Sequence, residues 1–200
     1  SDSLLASLLT LSDVYLTGFH AAHLARVRPG QTVTVVGDGA VGLSAVLAAR
    51  TLGAERIILM GRHTDRTDLG VEFGATDVVA ERGAEGVARV MDLTDGLGSH
   101  VVIEAVGHMP AYEQSYGVVR PGGVISRVGV PQYESAPVGF ASLFGKNITL
   151  TGGVARCAPT SRRPSPSCST ARSSPAACSI ASCRSTRRPL PTPRWTPERR

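Results

Sequence analysis

The sequence predicts an α/β fold, a doubly wound parallel sheet, followed by a disordered C-terminal tail. Three observations carry the prediction. An apolar run, Val33-Thr34-Val35-Val36, leads into Gly37-Asp38-Gly39-Ala40-Val41-Gly42 and then into the Ala- and Leu-rich stretch Leu43 to Arg50. Strand-like and helix-like segments alternate from there to about residue 151, which implies βαβ units. After Ala155 both the alternation and the composition change abruptly.

The first element is the end of an apolar helix, Ser3 to Leu11, and a turn and second helix follow from Asp13 to Leu24, closed by Arg28-Pro29-Gly30. Strands are expected at 32–36, 56–60, 76–79, 100–105, 123–128 and 147–151, and helices at 41–52, 66–73, 84–93, 109–118 and 139–145. Gly-Ala, Gly-Leu-Gly and Arg-Pro-Gly-Gly mark the joins between them. Six strands is the full complement of a doubly wound dinucleotide-binding sheet. The expected division is 1–29 as linker helices, 30–155 as a Rossmann-type domain and 156–200 as a tail.

Charge and residue usage support that division. Residues 1–155 carry 11 basic and 15 acidic side chains, whereas 156–200 carry ten arginines and one acid, Glu198. The net charge of +5 therefore comes from the tail. All 22 glycines precede residue 156 and all four cysteines follow it, so the globular part says nothing about redox compartment. No apolar run is long enough to cross a membrane. No basic segment followed by an apolar stretch and a cleavage site opens the chain, so the cytoplasm is the expected compartment.

The glycine run has the strand–turn–helix context of a dinucleotide-binding fingerprint. Gly37 permits the tight turn, Gly39 lets backbone approach a pyrophosphate, and Gly42 allows close helix–strand packing. Ala40 and Val41 stand at the start of the following helix, whose N-terminal N–H groups would face the phosphates. A plain glycine turn in a βα unit is the competing reading, and the repeat of the same pattern along the chain argues against it. An acid for the adenosine ribose is expected at the tip of the second strand, about 20 residues past the motif. Gly61 stands there, followed by Arg62, His63 and Arg66. A missing carboxylate beside cations suits a 2′-phosphate, so NADP is expected, with NAD possible. If Arg62 and His63 are solvated loop residues, both cofactors would be tolerated. Asp65 and Asp68 are read as helix-dipole partners. Ala105-Val106-Gly107 and Val128-Gly129-Val130 end the fourth and fifth strands, where small or apolar residues would let a nicotinamide ring approach the backbone.

Four segments together resemble the zinc-dependent alcohol dehydrogenases of the medium-chain dehydrogenase/reductase family. They are Asp13-Val14-Tyr15-Leu16-Thr17-Gly18-Phe19-His20, Val36 to Leu43, Glu72-Phe73-Gly74-Ala75-Thr76-Asp77 and Arg120-Pro121-Gly122-Gly123. The resemblance covers residues 1 to about 155. It implies an oxidoreductase that moves a hydride between a small alcohol or carbonyl compound and NAD(P), with zinc polarising the substrate oxygen. It implies that Asp13 is a zinc ligand, although a helix N-cap is the alternative. It also implies that Thr17 touches the nicotinamide, that Gly61 follows the NADP-using pattern and that Arg66 lies near the adenosine ribose. His20 and His23 are read as structural. Family members often pair through the edge strand near 147–151, which implies a homo-oligomer. In the family a catalytic domain carrying the Cys and His zinc ligands precedes this segment. A catalytic zinc takes three protein ligands, so these 200 residues alone are expected to be inactive in alcohol oxidation.

Residues 156–200 hold eight Pro, nine Ser and ten Arg with no helix or strand periodicity, and disorder is expected. A nucleic-acid-binding role is disfavoured, because Trp195 is the tail's one aromatic residue. Cys157, Cys168, Cys178 and Cys183 form no C-x-x-C pair, which argues against a zinc site. Arg, Ser, Pro, Ala and Cys are also what GC-rich coding DNA yields out of frame. Back-translating Ser174 to Arg187 and reading one base earlier gives Pro-Gly-Arg-Val-Phe-Asp-Arg-Glu-Leu-Pro-Leu-Asp-Glu, which resembles the family's C-terminal segment. A one-base deletion near codons 155–156 is therefore expected, and the gene's nucleotide sequence tests it.

Overall fold

The computed structural model describes residues 8–132 and 139–155. The chain divides into two units, 1–157 and 158–200, and every described residue belongs to the first. The expectations for residues 156–200 lie outside the described residues.

Helix α1 (Val14–Leu24) precedes strand β1 (Thr32–Val36), after which helices and strands alternate. They are α2 (Ala40–Thr51), β2 (Arg56–Met60), α3 (Thr64–Phe73), β3 (Asp77–Val79), α4 (Gly83–Leu93), β4 (Ser99–Glu104), α5 (Met109–Val118), β5 (Val119–Arg127), α6 (Phe140–Lys146) and β6 (Thr149–Gly152). The six strands form one sheet in the order β3-β2-β1-β4-β5-β6, and every pairing is parallel. The α/β doubly wound fold expected from the sequence is the observed one.

The near-continuous Val and Ile runs of β1, β2 and β4 reflect burial on both faces of the sheet. On one face, Val33, Val35, Ile57, Leu59, Val101 and Ile103 pack with the alanines of α1 and α2. On the other, Val36, Ile58, Val102 and Ile125 pack with Val90, Ala111 and Tyr112. Two buried hydroxyls, Thr34 and Ser99, satisfy each other at 2.7 Å across β1 and β4. Helix α1 runs close against α2, where a Cβ at Gly18 would lie 2.6 Å from the Ala45 nitrogen. The Thr17-Gly18 step is thereby tied to the helix that follows the glycine motif.

Five of the six strands lie within two residues of the expected bounds. The fifth does not: β5 begins at Val119, and Arg120-Pro121-Gly122-Gly123 lies inside it rather than before it. The register shifts here, since Ser99 pairs with Val119 but Val101 pairs with Val124. Pro121 has no N–H for the ladder and is confined to such an irregularity, where it and Gly122 are exposed. Asp65 lies in the first turn of α3, as the dipole reading required, whereas Asp68 lies one turn further in, where the dipole effect has faded. Among the described residues, no helix is long and apolar enough to cross a membrane.

Candidate functional site

Strand order reverses between β1 and β4, and ligands of open parallel sheets bind at such a point, beyond the strands' carboxyl ends. A cleft of about 610 Å³ opens there. Its floor is the glycine motif. Gly37 adopts φ +114°, and its N–H donates to the Met60 carbonyl at 3.0 Å. Gly42, in the first turn of α2, is pressed against the Gly37 carbonyl. Gly39 is different. It lines the cleft at the N-cap of α2 with φ −75° and ψ 175°, and nothing stands within 4 Å of where its Cβ would be. No side chain caps this helix, and its first turn holds no acid. Its leading N–H groups, which a helix leaves without internal partners, are of the kind that can receive an anion.

At the tip of β2, Gly61 lies against Asp38, which projects from the β1–α2 turn. Asp38 Oδ2 accepts hydrogen bonds from Arg62 N (3.0 Å), His63 N (2.9 Å) and His63 Nδ1 (2.8 Å). Arg66 Nη1 stands 3.7 Å from Oδ1. Burial pushes the Asp38 carboxyl up, but the backbone and ring hydrogen bonds of His63, its charge and the Arg62 N–H outweigh this and hold it below the usual range. Its ionised form fixes the proton of His63 on Nδ1. Arg66, His63 and Arg82 line this end of the cleft.

At the far end lie Ala105, Val106 and His108. The turn there is held from below by Glu104, whose Oε1 accepts from Val106 N (2.8 Å) and Gly107 N (2.7 Å). Glu104 is fully buried, and its Oε2 has no hydrogen-bond partner among the described residues. Burial raises the carboxyl's pKa, against the two N–H groups and the charges of Arg127 and His108 that lower it. The folded carboxyl thus keeps its proton to higher pH than the unfolded one. Its contribution is most favourable below the unfolded value, about 4.3, and is lost as pH rises from there through the folded value. Glu104→Gln retains an oxygen acceptor for the two N–H groups and removes the titration. Urea midpoints are expected to fall as pH rises above about 4.3 more steeply in the wild type than in E104Q, and parallel profiles would refute this.

The structure gathers Gly37, Gly39, Gly61, His63, Arg66, Ala105 and Val106 around one cleft. Ala40, Val41 and Gly42 lie behind it in the first turn of α2. Arg62 does not line the cleft, and its contribution is the backbone N–H to Asp38. Gly107, Val128, Gly129 and Val130 do not line the cleft: Gly129 and Val130 pack on Gly107, and Val128 packs against the core shared with α1 and α2. Thr17 and Asp13 lie outside it on and before α1, the Thr17 hydroxyl donating to Asp13 Oδ1 at 3.4 Å. Asp13 makes no capping hydrogen bond to α1. Among the described residues no three His, Cys, Asp or Glu side chains converge in a metal site. His23 stacks on Phe19 at 6.0 Å, in keeping with a structural reading. Asp38, Arg82 and His108 were not singled out from the sequence as site residues. For Asp38 a signal existed, a charged residue inside a glycine turn, but its target is set by the sheet.

A sequence model of the zinc-binding dehydrogenases matches residues 40–163. The chain belongs to this family. The NADP-dependent isopropanol dehydrogenase of Entamoeba histolytica is 39% identical over 118 residues, 59% of this chain and 32% of that protein. The NADP-dependent isopropanol dehydrogenase of Clostridium beijerinckii is 38% identical over 127 residues, 64% of this chain and 36% of that protein. The chain thus spans about a third of the length of these curated relatives. Among solved structures, the alcohol dehydrogenase of Thermus sp. ATN1 superposes with a TM-score of 0.67 at 35% identity, covering 73% of this zinc-binding dehydrogenase chain and 42% of that one.

Proposed function

We propose that this chain is the dinucleotide-binding part of an alcohol dehydrogenase-type oxidoreductase and that it prefers NADP to NAD. Gly39 is the observation that carries the first half. Gly37 and Gly42 are explained by packing within the protein, but the open space at Gly39 is explained by a ligand. A pyrophosphate there would meet the N-terminus of α2 with no side chain between them. The adenosine end would lie toward Gly61, His63, Arg66 and Arg82, and the nicotinamide end toward Ala105 and Val106. When bound, the nicotinamide accepts or donates the hydride. The chain's own residues orient it: Glu104 holds the Val106 and Gly107 N–H groups, and so shapes the turn at that end.

Two features support NADP. Gly61 offers no carboxylate of its own to ribose hydroxyls, and Arg66 and Arg82 line the cleft, together with the acids Asp38 and Glu81. Two of the similar proteins are isopropanol dehydrogenases described as NADP-dependent. Calorimetric titration of the 200-residue chain is expected to give a several-fold lower Kd for NADPH than for NADH. A tighter NADH response overturns the preference, and binding of neither overturns the assignment.

Asp13 is the one described residue that matches a zinc ligand of the family, and no metal-binding group of three forms among the described residues. That observation favours a second reading, a dinucleotide-binding fragment without chemistry of its own. Zinc-dependent alcohol oxidation by the purified chain would exclude it.

A further inference from the structure

The acid that reads the ribose of a dinucleotide is expected on the tip of β2. Here that tip is Gly61, and the space above it is filled. A Cβ on Gly61 would lie 2.5 Å from Asp38 Cβ and 2.9 Å from Asp38 Oδ2. A side chain at residue 61 and the observed Asp38 conformation therefore exclude each other. The carboxylate is present at this corner, but it arrives from the β1–α2 turn instead of from β2.

Asp38 also occupies the donors that would otherwise receive an anion. The backbone N–H groups of Arg62 and His63 and the ring Nδ1 of His63 all point to its Oδ2. Its other oxygen, Oδ1, is 3.7 Å from Arg66, beyond hydrogen-bond reach. A 2′-phosphate approaching this corner meets a fixed negative charge and three donors already engaged. A ribose hydroxyl approaching the cleft that Asp38 lines meets an acceptor, Oδ1, whose neighbouring cation Arg66 stands 3.7 Å away.

We infer that Asp38, the second residue of the glycine motif, is a specificity-determining residue that opposes the 2′-phosphate and keeps NAD usable. This rests on the reading that the cleft binds a dinucleotide. Arg66 and Arg82 draw NADP toward the cleft, and Asp38 limits the margin by which it is preferred. The chain's cofactor ratio is thus set from the turn after β1 as well as from the loop after β2.

The experiment is calorimetry on the full 200-residue chain and its Asp38→Asn variant with NADPH, NADH, 2′,5′-ADP and 5′-AMP. An asparagine oxygen can still accept from the Arg62 and His63 N–H groups, so the loop is kept while the charge is removed. The ratio of NADPH to NADH affinity is expected to rise about tenfold or more in D38N, with 2′,5′-ADP gaining and 5′-AMP not. An unchanged or lower ratio overturns the inference and leaves the dinucleotide site standing. Wild-type chain that binds none of the four removes the site and the inference together. Asp38→Ser provides a second reading of the same ratio if D38N does not fold. Loss of the folded state in both variants also overturns the inference, because Asp38 would then serve the fold and not the choice of ligand.

Discussion

Replacing Gly39 by aspartate is expected to make the chain more stable and unable to hold a dinucleotide. Gly39 is the N-cap of α2, its φ of −75° and ψ of 175° suit any L residue, and a Cβ there meets nothing within 4 Å. An aspartate at an N-cap accepts from the N–H groups of the first turn and offsets the helix dipole. Together these effects give roughly 0.5–1 kcal/mol, or a Tm increase of roughly 1–4 °C for a domain of this size. The same carboxylate would occupy the helix terminus proposed for the pyrophosphate and repel it. Affinity for NADPH is expected to fall at least ~100-fold, since the site loses its donors and gains a like charge. Thermal melts and calorimetry on one sample check both halves. A G39D chain that binds NADPH as the wild type does would place the dinucleotide elsewhere.

Gly42→Ala is expected to lose both properties. Its Cβ would collide with the Gly37 carbonyl oxygen and lie 2.9 Å from the Gly37 carbonyl carbon. These are backbone atoms of a turn whose N–H is bonded to Met60 on the neighbouring strand, so neither side can give way cheaply. Overpacking of this kind costs about 1–3 kcal/mol or more, which exceeds the gain of about 1 kcal/mol from exchanging glycine for alanine within a helix. Tm should drop by roughly 2–10 °C, and NADPH affinity by at least ~10-fold, as the turn and the helix terminus move apart. Wild-type melting and binding in G42A would refute the packing account. Two glycines of one motif thus fail for opposite reasons, one through the ligand and the other through the fold.

The core strands were legible because β1, β2 and β4 are buried on both sides, and burial favours near-continuous apolar runs. The bounds of β5 were not, because Pro121 and Gly122 read as a turn whether they precede a strand or bulge out of one. At the site, spacing identified the glycines, since each is required by a local backbone approach. It did not identify what Asp38 does. The partners of Asp38 lie 24 and 25 residues away and come within reach because Val36 pairs with Met60 in parallel register. Nor could the sequence say that Arg62 enters the site by its N–H. A cation in a motif reads as a side chain, and which face of a loop it leaves from is decided by the sheet beneath.

The parallel register also dictates an order of events during folding. No strand of this sheet can pair with its neighbour through a hairpin, and the central partners β1 and β4 meet across long sequence separations, Val33 with Val101 and Val36 with Glu104. A chain emerging from the ribosome completes β1, β2 and β3 first, and these can assemble on one another. One edge of β1 then waits, with its N–H and C=O groups unmatched, until residue 104 has been made. The nascent half-sheet is therefore an open template, and the polar groups lining that edge are vulnerable to pairing with other chains. Long-range pairing slows folding, and this seam joins the strand partners that lie farthest apart in the sequence.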